Sequence, residues 1–96
     1  MNKSKIYFLG VKKVYSDYHD VTTILWDNVR LGSIVQYNGT IRVERYDREE
    51  PYDVESKNEG LKSIFERFFD TKKEELYYHE IEVNMSDFAK FSTFIK

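Results

Sequence analysis

The 96-residue chain has no cysteine, one proline, four glycines and a single alanine, Ala89. Without cysteine there is no disulfide, no thiol nucleophile and no thiolate metal site. Small secreted domains usually depend on such cross-links, so a reducing, cytoplasmic setting is expected. Gly10, Gly32, Gly39 and Gly60 are isolated, so no cluster of glycines exists to cradle a phosphate. No apolar run approaches the ~18 residues of a membrane-spanning helix. Lys3 and Lys5 precede only Ile6 to Leu9, too short for the apolar segment of a secretory leader. No membrane partner is expected.

What is present is enough for one modest core. Hydrophobic residues make up 41% of the chain and recur throughout, which argues against wholesale disorder and for a single domain over residues 1–96. The net charge of −2 creates no global field for DNA or RNA, so direct nucleic-acid binding is not favoured. The charge is nevertheless uneven. Residues 1–16 carry Lys3, Lys5, Lys12 and Lys13 and no acid, a charge of +4. Residues 44–59 carry seven acids (Glu44, Asp47, Glu49, Glu50, Asp53, Glu55, Glu59) against Arg45, Arg48 and Lys57, a charge of −4. Residues with AT-rich codons (Phe, Tyr, Met, Ile, Asn, Lys) number 39, against 11 with GC-rich codons (Gly, Ala, Arg, Pro). This bias points to a gene from a low-GC bacterium or one of its phages.

Along the chain, residues 5–15 read as a strand rich in β-branched and aromatic types, with Gly10 marking a bulge or bend. Residues 21–26 form a second strand, Asp27-Asn28 a turn, and residues 29–37 a third strand. Asn38-Gly39 is the strongest local signal, because both central residues of a type I′ turn need positive φ. Residues 40–46 return antiparallel. A two-residue turn sets Tyr37 opposite Thr40, Val35 opposite Arg42, Ile34 opposite Val43 and Leu31 opposite Tyr46. One face of this hairpin then carries Ile34, Ile41 and Val43. The other carries Leu31, Val35, Tyr37 and Tyr46 with Arg42 and Glu44. Residues 47–57 hold Pro51 and no apolar period, which reads as a loop.

Ser56 and Glu59 match a capping box, and Leu61, Ile64, Phe65, Phe68 and Phe69 follow as one helical stripe. Residues 76–83 alternate and favour a fifth strand, with Tyr77, His79, Ile81 and Val83 on its apolar side. Asn84 or Ser86 caps a last helix bearing Phe88, Phe91 and Ile95. The expected fold is therefore α+β, a mainly antiparallel sheet of four to five strands in the order ββββ-α-β-α, with two amphipathic helices packed on it.

Searches for chemistry give little. Asp17, His19 and Asp20 are too few and too flexible for a metal site. His79 reads as a partly buried histidine with one hydrogen-bond partner. The acid-x-Lys patterns at Glu55-Ser56-Lys57 and Asp70-Thr71-Lys72 are as frequent as composition alone dictates. No serine sits in a nucleophile turn. Neither enzymatic activity nor a cofactor nor a metal is expected.

Binding is the better prospect. Tyrosine gives large, stiff, amphipathic contact area, and the hairpin face with Leu31, Val35, Tyr37, Arg42 and Tyr46 becomes a contact surface if both helices lie on the opposite side. If a helix covers each face, the same residues are a second core. Glu49, Glu50 and Asp53 form an acidic rim suited to a basic, nucleic-acid-binding groove on a partner. The expected function is that of a small intracellular module that binds and inhibits a larger host protein. In size and style, though through no motif, it looks like phage-encoded inhibitors of host defence such as anti-CRISPR proteins. Two alternatives stand beside it. One is a small-ligand or nucleotide binder, with a pocket lined by Trp26, Tyr77 and His79. The other is a single-stranded nucleic-acid binder that stacks bases on Tyr37 and Tyr46 with Arg42 on phosphate. A homodimer through the hairpin face is compatible with each.

Overall fold

Two tight reversals organise the first half of the chain. Asp27 and Asn28 have φ of 51° and 66°, and Asn38 and Gly39 have φ of 50° and 84°. Both pairs thus supply the consecutive positive φ values of a type I′ hairpin, whose twist matches that of the flanking strands. They join β2 (His19–Trp26), β3 (Val29–Tyr37) and β4 (Thr40–Arg45), and β1 (Ser4–Ser16) precedes them. The computed structural model describes residues 3–85. The last helix expected from sequence falls outside the described residues.

The fold is α+β, with a six-stranded mixed sheet and, among the described residues, one helix. β5 (Tyr52–Val54), α1 (Lys57–Phe68) and β6 (Glu74–Asn84) complete it, and the strand order is β5-β4-β3-β2-β1-β6. Two expectations are corrected here. Part of the predicted 47–57 loop is a strand, because Tyr52 pairs with Val43 and Val54 with Ile41 antiparallel to β4. Three residues behind a proline carry too little periodicity to be recognised as one. The sheet also has six strands where four to five were expected, and although four of its five pairings are antiparallel it is mixed: β6 pairs in parallel with β1 from Ser4↔Glu74 to Val14↔Asn84. The α1 crossover between β5 and β6 makes that parallel return sterically feasible.

The β3–β4 register agrees with the turn arithmetic, with Tyr37↔Thr40, Val35↔Arg42, Ile34↔Val43 and Ser33↔Glu44. One departure matters. On β2 and β3, Ile24 pairs with Gly32 and Leu25 with Arg30, which leaves Leu31 as an extra residue in a β-bulge. The bulge breaks the alternation and turns Leu31 into the core, where it is only 5% exposed.

α1 begins where its sequence says it should. Glu59 N–H donates to Ser56 Oγ at 3.1 Å, and Glu59 Oε2 accepts from the Glu55 N–H at 3.0 Å. Two free backbone donors are satisfied in this way. The helix lies on the face of β3, β4 and β5. Ile24, Ile34, Val43 and Ile64 are sealed between the layers, each contributing about 1.5–3 kcal/mol of burial before entropy. Phe8 stacks on Phe65 at 4.1 Å and meets Phe69 edge-on at 5.3 Å, and Phe69 in turn meets Trp26 at 5.1 Å. These rings carry the core across to β1 and β2.

Candidate functional site

All of α1 lies on one side of the sheet. On the other side no element packs among the described residues, and the register dictates which side chains meet there. Tyr7 of β1 lies beside Tyr77 of β6, Leu9 beside His79 and Leu25, Val11 beside Ile81 and Thr23, and Val21 beside Val35. These residues make an uncharged grid over β6, β1, β2 and β3, bordered on the same face by Lys5, Glu75 and Lys13. The rings organise one another. Tyr7 and Tyr77 stack at 5.2 Å, and His19 stacks on Tyr15 at 4.9 Å and meets Tyr37 edge-on at 5.3 Å. Tyr46 reaches back over Ser33, with its hydroxyl 3.3 Å from Ser33 Oγ. A hydrogen bond with Glu75, together with partial burial and the nearby Glu75 charge, raises the Tyr77 hydroxyl above its ordinary value. Tyr77 is therefore a neutral donor across the physiological range.

Exposure is high for such a surface. Tyr7 is 63% exposed, Tyr37 55%, Tyr46 51% and Ile81 43%. With Tyr15 and Tyr77, five tyrosines stand about half open; at about 200 Å² each they present on the order of 500 Å². That is most of one side of a standard protein–protein interface, about 800 Å² per partner.

The structure brings together Val35, Tyr37, Arg42 and Tyr46 on this face, as the sequence implied. Leu31 does not belong to it, for the bulge buries it in the opposite layer. Asp53 joins from β5, where its carboxylate pairs with Arg42 Nε at 3.1 Å. A phosphate seeking Arg42 would have to displace that carboxylate. Glu49 and Glu50 are exposed and form no ion pair among the described residues. They flank an open depression of about 740 Å³ that Glu49 and Tyr46 help to line. Elsewhere in the acidic run, Asp47 is compensated internally. Asp47 accepts from Arg67 Nε at 2.6 Å and lies 3.1 Å from Arg45 Nε, an ion pair whose angles make no hydrogen bond. The Arg67 hydrogen bond leads the Asp47 carboxyl to sit below its ordinary range, against some opposing burial.

Three further expectations are corrected. His79 is exposed on the open face and not partly buried. The alternation in β6 was legible, but its more polar side, with Tyr78 and Glu80, is the one turned toward α1. Trp26 lies on the helix side and Tyr77 and His79 on the other, so no pocket joins them. His19 and Asp20 likewise point to opposite faces, and no three His, Asp or Glu residues converge on a cation site among the described residues.

Sequence reasoning missed Tyr7, Leu9, Val11, Tyr77 and Ile81 as members of the face. A signal existed: β1 is apolar at both even and odd positions from Ile6 to Val11, the mark of a strand with contacts on both sides.

Under the helix side of β6, Gly10 admits the Tyr78 ring; a Cβ at Gly10 would collide with it. The Tyr78 hydroxyl donates to Glu80 Oε1 at 2.6 Å, and Lys57 Nζ donates to the same oxygen at 2.5 Å. Burial pushes the Tyr78 hydroxyl far up. Burial alone would also raise Glu80, but the hydrogen bonds from Lys57 and Tyr78 and the charges of Lys57 and Lys12 outweigh it and hold the carboxyl below its ordinary value. The network ties α1 to β6.

No helix among the described residues is long and apolar enough to cross a membrane. Comparison of the chain with protein-family models, with characterised proteins and with solved structures gives no match.

Proposed function

We propose that this protein is a small binding module that docks through its open sheet face onto a larger protein and blocks it. It acts in the cytoplasm of a low-GC bacterium, in the manner of phage-encoded inhibitors of host defence. The observation that carries this reading is the tyrosine-rich face over β6, β1, β2 and β3, on which no element packs among the described residues. Apolar patches of that extent on a single domain generally mark a contact surface. Rigid tyrosines lose little conformational entropy on binding. Glu49 and Glu50 form an acidic rim beside Tyr46 and favour a partner with a basic groove.

The test uses the immobilised full chain and lysates of low-GC bacteria. Wild-type protein is expected to retain a specific partner. The double variant Tyr7→Asp/Tyr37→Asp should lose it at least 30-fold, the size of a binding hot spot of about 2 kcal/mol, while its thermal unfolding stays close to wild type. Equal retention by the variant, or no specific partner across several hosts, would overturn the reading.

A further inference from the structure

The two edges of the sheet are protected very differently. β5 is three residues long and follows Pro51, and its Asp53 is tied to Arg42. β6 runs for eleven residues with an unbroken register to β1, and no proline, lysine or arginine lies within Glu74–Asn84. Natural edge strands are usually blunted by shortness, proline, a bulge or lysine. β6 is long and has no proline, bulge or lysine; the charges it carries are all glutamates, of which Glu80 points toward α1.

Pairing with β1 uses only one side of β6. In a parallel pair the backbone groups of each strand point alternately to the two sides, so about five N–H and five C=O groups of β6 face away from β1. They extend over roughly 35 Å at ~3.3 Å per residue. No other strand takes them up among the described residues.

The charge on β6 selects the occupant. Glu74, Glu75, Glu80 and Glu82 lie on it with no cation of its own. Lys57 and Lys12 reach Glu80 and Glu82 from neighbouring elements, at 2.5 and 3.5 Å. Glu74 and Glu75 have no such partner among the described residues. A second β6 paired antiparallel would bring eight glutamates, four from each strand, to one seam, which like-charge repulsion disfavours. An extended segment carrying lysine or arginine at alternate positions would meet Glu74, Glu80 and Glu82 on the α1 side of the strand, while Glu75 stands on the open side beside Tyr77. Its other side chains would lie over Tyr77, His79 and Ile81 and continue the open face.

We propose that β6 receives an extended, cationic segment of the partner as a seventh strand. Main-chain hydrogen bonds along the free edge would supply the affinity and the glutamates the sign selectivity. The proposal rests on the open face being a protein-docking surface and specifies how the partner enters it.

Two eight-residue peptides test it on the full chain, one alternating lysine with valine and the other glutamate with valine. Amide hydrogen exchange is read by nuclear magnetic resonance. The lysine peptide is expected to slow alternate β6 amides between Leu76 and Val83 at least tenfold, an effect reduced by salt, and the glutamate peptide to leave them unchanged. Unchanged exchange with both peptides, or equal slowing by both, would overturn the proposal. So would a concentration-dependent dimer in sedimentation whose outward β6 amides are protected without peptide, since the occupant would then be a second copy. Tyr37→Ala/Tyr46→Ala, three or more strands from the edge, separates the two readings. If peptide protection persists but lysate capture ignores these tyrosines, the docking face fails and the edge stands. If capture depends on them but no peptide touches β6, the edge fails and the face stands.

Discussion

Glu80 shows how one carboxylate can be worth more than its exposed counterparts. It is the shared acceptor of Lys57 and Tyr78 in a partly buried site between α1 and β6, whereas Lys62–Glu66 on the outer surface of α1 is an open pair at 3.9 Å. Exposed pairs of that kind contribute little, and hydrogen bonds to a charged group contribute about 1.5–3 kcal/mol. Allowing for partial exposure, Glu80→Gln should destabilise the protein by about 1–2 kcal/mol at pH 7. The folded-state value of Glu80 lies below its ordinary 4.5. Its contribution is therefore fully present above pH 4.5 and is lost as pH falls through the lowered folded value. Urea unfolding at neutral pH should separate wild type from Glu80→Gln, and the two curves should converge at the acid end. A gap that persists in acid would mean the effect is packing and not charge.

At the scale of elements, what was legible followed from local rules. Asn38-Gly39 identified its turn because the backbone there needs two positive φ values, and Ser56 with Glu59 identified the start of α1 because free N–H groups need acceptors. Both devices are testable by single substitution. Gly39 has a φ of 84° and open space around its Cα, so Gly39→Ala introduces backbone strain alone, about 1–2 kcal/mol. Ser56→Ala removes the acceptor of the Glu59 N–H and should cost about 1 kcal/mol. The two sites share no partner, and the double variant should lose the sum in chemical denaturation. Elements defined by their partners were not legible. β5 is a strand only because β4 offers it an edge. The bulge at Leu31 is a mismatch between β2 and β3, which no reading of β3 alone contains. In β6 the alternation was plain but its inward side was not, since Gly10 of β1 makes room for Tyr78.

At the scale of the molecule the same division explains the site. Val35, Tyr37, Arg42 and Tyr46 belong to one hairpin, so turn geometry sufficed to group them. Tyr7 and Tyr77 are seventy residues apart and meet only because β6 closes in parallel against β1, a long-range pairing that local propensity does not encode. Among the described residues, the six strands thereby divide the apolar side chains into a sealed layer under α1 and an open layer opposite, and that division makes opposite predictions for residues that sequence had grouped together. Leu31→Ala empties the sealed layer and should cost about 2–5 kcal/mol. Tyr46→Ala loses a half-exposed ring and a 3.3 Å contact to Ser33, and Arg42→Ala an exposed ion pair with Asp53. Each should cost under about 1 kcal/mol. Thermal and urea unfolding of the three variants decides the matter: a large loss for Leu31→Ala beside near-native stability for the other two is expected. Equally large losses for all three would mean that the tyrosine face is covered in solution and is not a docking surface.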